Sequence, residues 1–153
     1  MQFALLGSGD ARFENFMRGA EARYKGRLCA YIGHNEELSH LYYAGSDFFL
    51  MPSRFEPCGL SQMLAMRYGS LPIVRETGGL RDTVTPYNKY TGEGDGFSFA
   101  NYDAWELREA VRRALDCWKD EGVMRALVNN AMQADFGFEI SAQEYAKLYI
   151  CML

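Results

Sequence analysis

The chain has 153 residues, 48% of them hydrophobic and 24% charged, with a formal net charge of −4. That is the makeup of one ordinary globular domain able to bury its own core without disulfide or metal support. Its basic residues are scattered (Arg12, Arg18, Arg23, Lys25 and Arg27, then Arg108, Arg112 and Arg113), which argues against a surface for nucleic acid or an anionic membrane.

Strand and helix patterns alternate along the first hundred residues. Phe3-Ala4-Leu5-Leu6 reads as a strand ending in the turn Gly7-Ser8-Gly9-Asp10, and a helix is predicted from Ala11 to Tyr24. Leu28 to Ile32 is the next buried strand, closed by Gly33. Asn35 can cap a short helix with Leu38, Leu41 and Tyr42 on one face. Asp47 to Met51 forms a third strand, stopped by Pro52. After a loop, Leu60, Met63, Leu64 and Tyr68 keep helical spacing; Leu71 to Val74 is a fourth strand, and Thr77-Gly78-Gly79 opens another turn. Pro86 to Gly96 is polar and glycine-rich, hence a surface loop, and Gly96 to Phe99 is a last strand.

From there the pattern is helical alone. Asp103 with Glu106 has capping-box spacing ahead of a stripe of Ala104, Leu107, Val111, Ala114, Leu115 and Trp118. A second helix carries Met124, Leu127, Val128 and Ala131. A third is predicted from the Ser141 and Glu144 capping box and holds Tyr145, Leu148 and Tyr149. Trp105, Trp118, Tyr145 and Tyr149 read most simply as core, and Phe13, Phe16 and Tyr24 as one helix face. Strands separated by helices at this spacing imply an α/β fold, a mostly parallel sheet with helices on both faces.

The cysteines, Cys29, Cys58, Cys117 and Cys151, are far apart and form no Cys-x-x-Cys pair. Neither a zinc knuckle nor a redox motif is indicated, and reduced thiols suit a cytoplasmic protein. No apolar stretch approaches about 18 residues, so no membrane span is expected. Two histidines, His34 and His40, cannot assemble a metal cluster of imidazoles.

Ligands of an open parallel sheet bind beyond the carboxyl ends of its strands. Here those ends are Gly7 to Asp10, Gly33 to Asn35, Ser53 to Leu60 and Glu76 to Gly79. Gly7-x-Gly9 invites a dinucleotide reading, but Arg12 stands where the fingerprint needs a third small residue, and a tight turn is the simpler account. Ser53-Arg54-Phe55-Glu56-Pro57-Cys58-Gly59-Leu60-Ser61 is the most informative stretch. It places one carboxylate, Glu56, in a proline-stiffened loop before a helix start, whose amides at Gly59, Leu60 and Ser61 suit a phosphate. Carboxylate and phosphate repel, a conflict that a sugar diphosphate resolves by offering hydroxyls to one and oxyanions to the other. A Glu that merely caps the helix is the structural alternative. Thr77-Gly78-Gly79 supplies a second small turn at the next strand end, explained equally by a glycine needed for φ > 0. His34 could stack on a base or simply lie at the surface.

Pro52 to Leu60, followed by Tyr68-Gly69-Ser70-Leu71-Pro72-Ile73-Val74-Arg75 and Thr77-Gly78-Gly79-Leu80-x-Asp82-Thr83-Val84, closely resembles bacterial glycogen synthase and plant starch synthase. The resemblance runs through Gly96-Phe97-x-Phe99 to the terminal helices. It implies a retaining glucosyltransferase of the GT-B architecture, with residues 1–153 as its Rossmann-like three-layer α/β/α C-terminal, donor-binding domain, ending in helices. The implied reaction passes glucose from ADP-glucose to the non-reducing end of an α-1,4-glucan, with no metal or other cofactor. By the same resemblance Glu56 is the acidic residue essential to transfer, which contacts donor-sugar hydroxyls and stabilises the cationic transition state. Cys58, Gly59 and Leu60 line the glucose and diphosphate, Ser61 bonds phosphate, and Thr77, Gly78 and Gly79 flank the cleft. His34 falls where the family usually has a Tyr stacked on adenine, which keeps UDP-glucose open as a donor. Leu64 occupies the place of a second Glu found across the broader superfamily. The family's N-terminal, acceptor-side domain with its Lys-x-Gly-Gly-Leu motif, and the Arg and Lys that neutralise the diphosphate, are not found in these residues. The expectation is therefore a domain truncated at its N-terminus and inactive alone, with a non-catalytic nucleotide- or glucan-binding module as the alternative.

Overall fold

The computed structural model describes residues 1–152. The chain divides into two compact units, Met1–Gly45 and the stretch from Ser46 onward.

In the first unit β1 (Phe3–Gly7) and β2 (Leu28–Ile32) pair in parallel, Phe3 opposite Leu28 and Gly7 opposite Ile32. The crossover between them is α1 (Ala11–Arg23), capped by Asp10, whose side chain accepts from Arg12 N. Asn35 starts α2 (Glu36–Gly45) as its type predicts: Oδ1 accepts from Leu38 N at 2.9 Å. Phe13, Phe16 and Tyr24 are all exposed, so the expected apolar face of α1 is uncovered among the described residues.

The second unit holds β3 (Phe48–Met51), α3 (Ser61–Arg67), β4 (Leu71–Arg75), α4 (Gly79–Thr83), β5 (Phe97–Phe99), α5 (Ala104–Cys117), α6 (Glu121–Gln133) and α7 (Phe138–Cys151). Its three strands are parallel in the order β3-β4-β5. β4 is central, and Leu71 through Val74 are all buried. Neighbouring residues of a strand face opposite ways, so burial of Ile73 and Val74 together means cover on both faces of the sheet. That cover includes Met66 of α3, Leu80 of α4, Ala110 and Ala114 of α5, and Leu127 and Ala131 of α6.

Two expectations fail here. The aromatics of the last helices are not core: Trp105 is 63% exposed and Tyr145 62%, and Trp118 and Tyr149 are likewise outside. The fully buried positions of α5 are Ala110 and Ala114, with Leu107, Val111 and Cys117 packed partly buried beside them, and neither indole belongs to that face. Nor does the last helix begin at Ser141. α7 starts at Phe138 behind Gly137, with Ser141 already inside it and no residue of the helix buried. At α5 the capping box is only half made. Asp103 accepts from Trp105 N and Glu106 N, but the Glu106 carboxylate reaches further back, to Ala100 N and Asn101 N.

Candidate functional site

Pro52 has no amide hydrogen for the ladder and takes the chain out of the sheet after β3. The loop that follows, residues 53–60, is braced twice. Arg75, the last residue of β4, donates from Nε to Ser53 O at 2.8 Å and from Nη2 to Arg54 O, and its Nη1 reaches Ala100 O beyond β5 at 3.5 Å. One guanidinium thus ties together the segments that leave β3, β4 and β5. The second brace is backbone on backbone. Gly79 N donates to Pro57 O at 3.1 Å, and a methyl group on Gly78 or Gly79 would collide with Glu56 O or Cys58 O. Gly78 also holds φ +46° and ψ −138°, a region closed to other residues. The glycines of Thr77-Gly78-Gly79 are therefore required by the Glu56 loop itself. Thr77 lies two residues ahead of α4, its carbonyl accepting from Leu80 N at 3.1 Å.

These braces set Glu56 half-buried beside its neighbours. Its carboxylate receives the Ser53 hydroxyl at 3.4 Å, a long bond that leaves most of its lone pairs open. It does not cap α3: the N-cap is Leu60, with no side-chain hydrogen bond. Gly59 turns the chain at φ +77°, and the amides of Gly59, Leu60 and Ser61 meet no acceptor among the described residues. A carboxylate with free lone pairs and a run of free amide donors lie within five residues of one another. That pairing can take hydroxyls on one side and an oxyanion on the other. Cys58 is an exposed free thiol, not the small buried one that a purely structural loop would carry.

Glu56, Cys58, Gly59, Leu60, Ser61, Thr77, Gly78 and Gly79 all belong to the second unit, where the braces bring the two turns together. His34 belongs to the first, exposed in the bend after β2. Gly33 N, just before it, donates to Gly7 O at 2.9 Å and closes the ends of β1 and β2. The Gly7-Ser8-Gly9 turn is not an anion site. Asp10 already accepts from Arg12 N and Glu14 Oε1 from Gly9 N at 3.0 Å, so two carboxylates occupy donors a pyrophosphate would need.

A cleft of about 660 Å³ lies between α3 and the segment after α6, lined by Met63, Leu64, Arg67 and Phe136. It shares only Leu60 with the Glu56 loop, and its polar lining is Arg67, Gln133 and Asp135. The chemistry sits on the loops instead. Arg75 is a residue that sequence reading misses. Its signal is a charge at the end of an apolar strand, and its partners are carbonyls, which carry no sequence identity. Among the described residues no three His, Cys, Asp or Glu side chains are placed to hold a metal ion, and no helix is long and apolar enough to cross a membrane.

Comparison with known proteins agrees with this architecture. The family model described as glycosyl transferases group 1 matches residues 2–133. The chain is 52% identical over 149 residues to a glycogen synthase of Acholeplasma laidlawii and 53% identical over 148 residues to one of Exiguobacterium sibiricum, in each case covering 97% of this chain. It spans 31% of the length of those relatives. Among solved structures, the catalytic domain of starch synthase IV from Arabidopsis thaliana, bound to ADP and acarbose, superimposes with a TM-score of 0.85 at 41% identity, over 97% of this chain and 32% of that one. A sucrose-phosphate synthase from Thermosynechococcus elongatus gives 0.68 at 27% identity, over 98% and 38%. A family match across most of the chain, on a parallel α/β frame with its candidate site at the strand ends, places this chain among the group 1 glycosyl transferases.

Proposed function

We propose that this chain binds the nucleotide-sugar donor of a glycogen or starch synthase, ADP-glucose, and serves transfer of its glucose, with retention, to the non-reducing end of an α-1,4-glucan in the cytoplasm. The observation that carries the reading is the Glu56 loop, a carboxylate with open lone pairs next to the unclaimed amides of Gly59 to Ser61. Glu56 takes sugar hydroxyls and stabilises positive charge developing at the sugar carbon, the amides and the Ser61 hydroxyl take the diphosphate, and Cys58 lines the sugar. Thr77, Gly78 and Gly79 hold the loop. The starch synthase structure bound to ADP supports an adenine nucleotide as ligand. An acceptor-side domain and the cations that neutralise the leaving diphosphate lie outside these residues, so the chain alone is expected to bind without turning over. No metal or other cofactor is assigned.

Calorimetry tests the division of labour. ADP-glucose, ADP and UDP-glucose are titrated into the chain and into its Glu56→Ala variant. Loss of a charged hydrogen-bond acceptor to sugar should weaken ADP-glucose by about 10- to 100-fold and leave ADP within about twofold. Equal weakening of both ligands would remove Glu56 from the sugar. Tighter binding of UDP-glucose than of ADP-glucose would change the donor.

A further inference from the structure

Gln62, in the first turn of α3, is 0% exposed. Complete burial of a primary amide is unfavourable unless its donors and acceptor are met, and Gln62 meets only the first half of that condition. Its Nε2 donates to Gly59 O at 2.9 Å, Thr83 Oγ1 at 3.0 Å and Cys58 O at 3.2 Å, two hydrogens spread over three acceptors. Chemistry fixes this orientation. The Thr83 hydroxyl gives its own hydrogen to Gly79 O at 2.6 Å, so towards Gln62 it presents only a lone pair, as the two carbonyls do. The other end of the amide, Oε1, is buried without a partner. A Met of similar size would fill the same space with no orphaned acceptor.

What the amide achieves is a closed circuit. Gln62 donates to Thr83, Thr83 donates to the Gly79 carbonyl, the Gly79 amide donates to the Pro57 carbonyl, and Gln62 itself holds the carbonyls of Cys58 and Gly59. Gly59 belongs to the same fit, because a methyl group there would stand 2.9 Å from Nε2. We propose that Gln62 is a positioning residue that, at a cost in stability, locks the loop carrying Glu56 to the turn carrying Gly78 and Gly79. Arg75 grips the start of that loop; Gln62 grips its end, the part bearing the free amides. The consequence for a ligand rests on the donor-binding assignment, whereas the lock itself does not.

The test is amide exchange by NMR on the chain and on its Gln62→Met, Thr83→Val and Thr83→Ser variants. Losing one buried hydrogen bond should speed exchange at the Gly79 amide about tenfold in Gln62→Met and in Thr83→Val. Thr83→Ser keeps the hydroxyl and should stay within about twofold of wild type, with Ile73 and Val74 unaffected in all three. Because a circuit opened once is open, the Gln62→Met/Thr83→Val double variant should go no further than either single one. Unchanged exchange at Gly79, additive effects in the double variant, or equal acceleration at Ile73 and Val74 would each overturn the lock. The Thr83 pair keeps the test decisive if Gln62→Met fails to fold. ADP-glucose titrated into the same proteins should bind about tenfold more weakly to Gln62→Met and Thr83→Val and normally to Thr83→Ser. Variants that lose Gly79 protection yet bind like wild type would refute the positioning role. A wild-type chain that binds no ADP-glucose would count against the donor assignment instead, leaving the lock to the exchange data.

Discussion

Between the amide of Gly79 and the carbonyl of Pro57 lie 3.1 Å and no room for a side chain, since a Cβ at Gly79 would stand 2.6 Å from Cys58 Cα. The obstacle is backbone, which cannot rotate away as a side chain would. Gly79→Ala must therefore push the Glu56 loop off the α4 turn, and overpacking of this kind costs about 1–3 kcal/mol. Gly19 makes the contrast. It lies inside α1 with nothing within 4 Å of its added Cβ, so Gly19→Ala should stabilise by roughly 0.5–1 kcal/mol through helix propensity. Urea midpoints of the two variants, measured side by side, should move in opposite directions; a midpoint unchanged or raised in Gly79→Ala would mean that the 57–79 contact does not hold the loop. The position of Glu56, on a loop between an apolar strand and a helix start, was legible from Pro52, Pro57 and Gly59 alone. Why two glycines stand at 78 and 79 was not. The reason is a carbonyl some twenty residues away in sequence, and backbone atoms leave no trace in residue type.

Strands were the easiest elements to read. The run Leu28 to Ile32 is β2 without a residue gained or lost, but the burial expected of it is not met: Cys29 and Tyr31 are exposed and the other three residues only partly covered. In the sequence α4 shows only as a turn; with five residues it is too short to show a period. Helix faces misled for a related reason. A stripe marks amphipathicity without saying how deep its partner surface is, and α5 fills a shallow one with Ala110 and Ala114. The polar stretch Pro86 to Gly96 has the composition of a surface loop, yet Asp95 is partly buried in it, its Oδ1 accepting from Thr85 N at 2.7 Å. Burial raises that carboxyl above its ordinary value of 3.8, against the lowering effect of the Thr85 amide. A folded-state value above the unfolded one means the folded chain holds the proton more tightly. The stability Asp95 contributes is then complete below pH 3.8 and is lost as pH rises through the folded value. Asn keeps the oxygen for Thr85 and drops the charge. Allowing for the water that still screens this carboxylate, Asp95→Asn should raise Tm near pH 7 by roughly 1–3 °C. The gain should shrink with acidification and vanish below 3.8; a gain independent of pH would show that burial of the charge is not its source.

At the scale of the whole molecule the buried residues are unevenly shared. Every member of the main core cluster, from Met66 to Ala131, lies in the unit that begins at Ser46. In Met1–Gly45 only Tyr43 is buried among the described residues, and the sheet there has two strands. Apolar runs announced all the strands but not this partition, since a run of Leu and Ile is the same letter string whether it pairs with one neighbour or two. The difference has a thermodynamic consequence. Two strands and a pair of helices with little apolar burial resist local opening weakly, whereas β4, covered on both faces, opens only when the core does. Native-state hydrogen exchange should separate the two. Amides of β1 and β2 should exchange with an opening free energy at least about 1.4 kcal/mol below that of Ile73 and Val74, a tenfold or larger difference in protection. Added denaturant should narrow that gap, because local openings expose little surface and global unfolding exposes much. Ligand binding sharpens the test: ADP held by the Glu56 loop should raise protection of the second unit by mass action, and a rise in β1 and β2 of the same size would mean that both units unfold as one cooperative body.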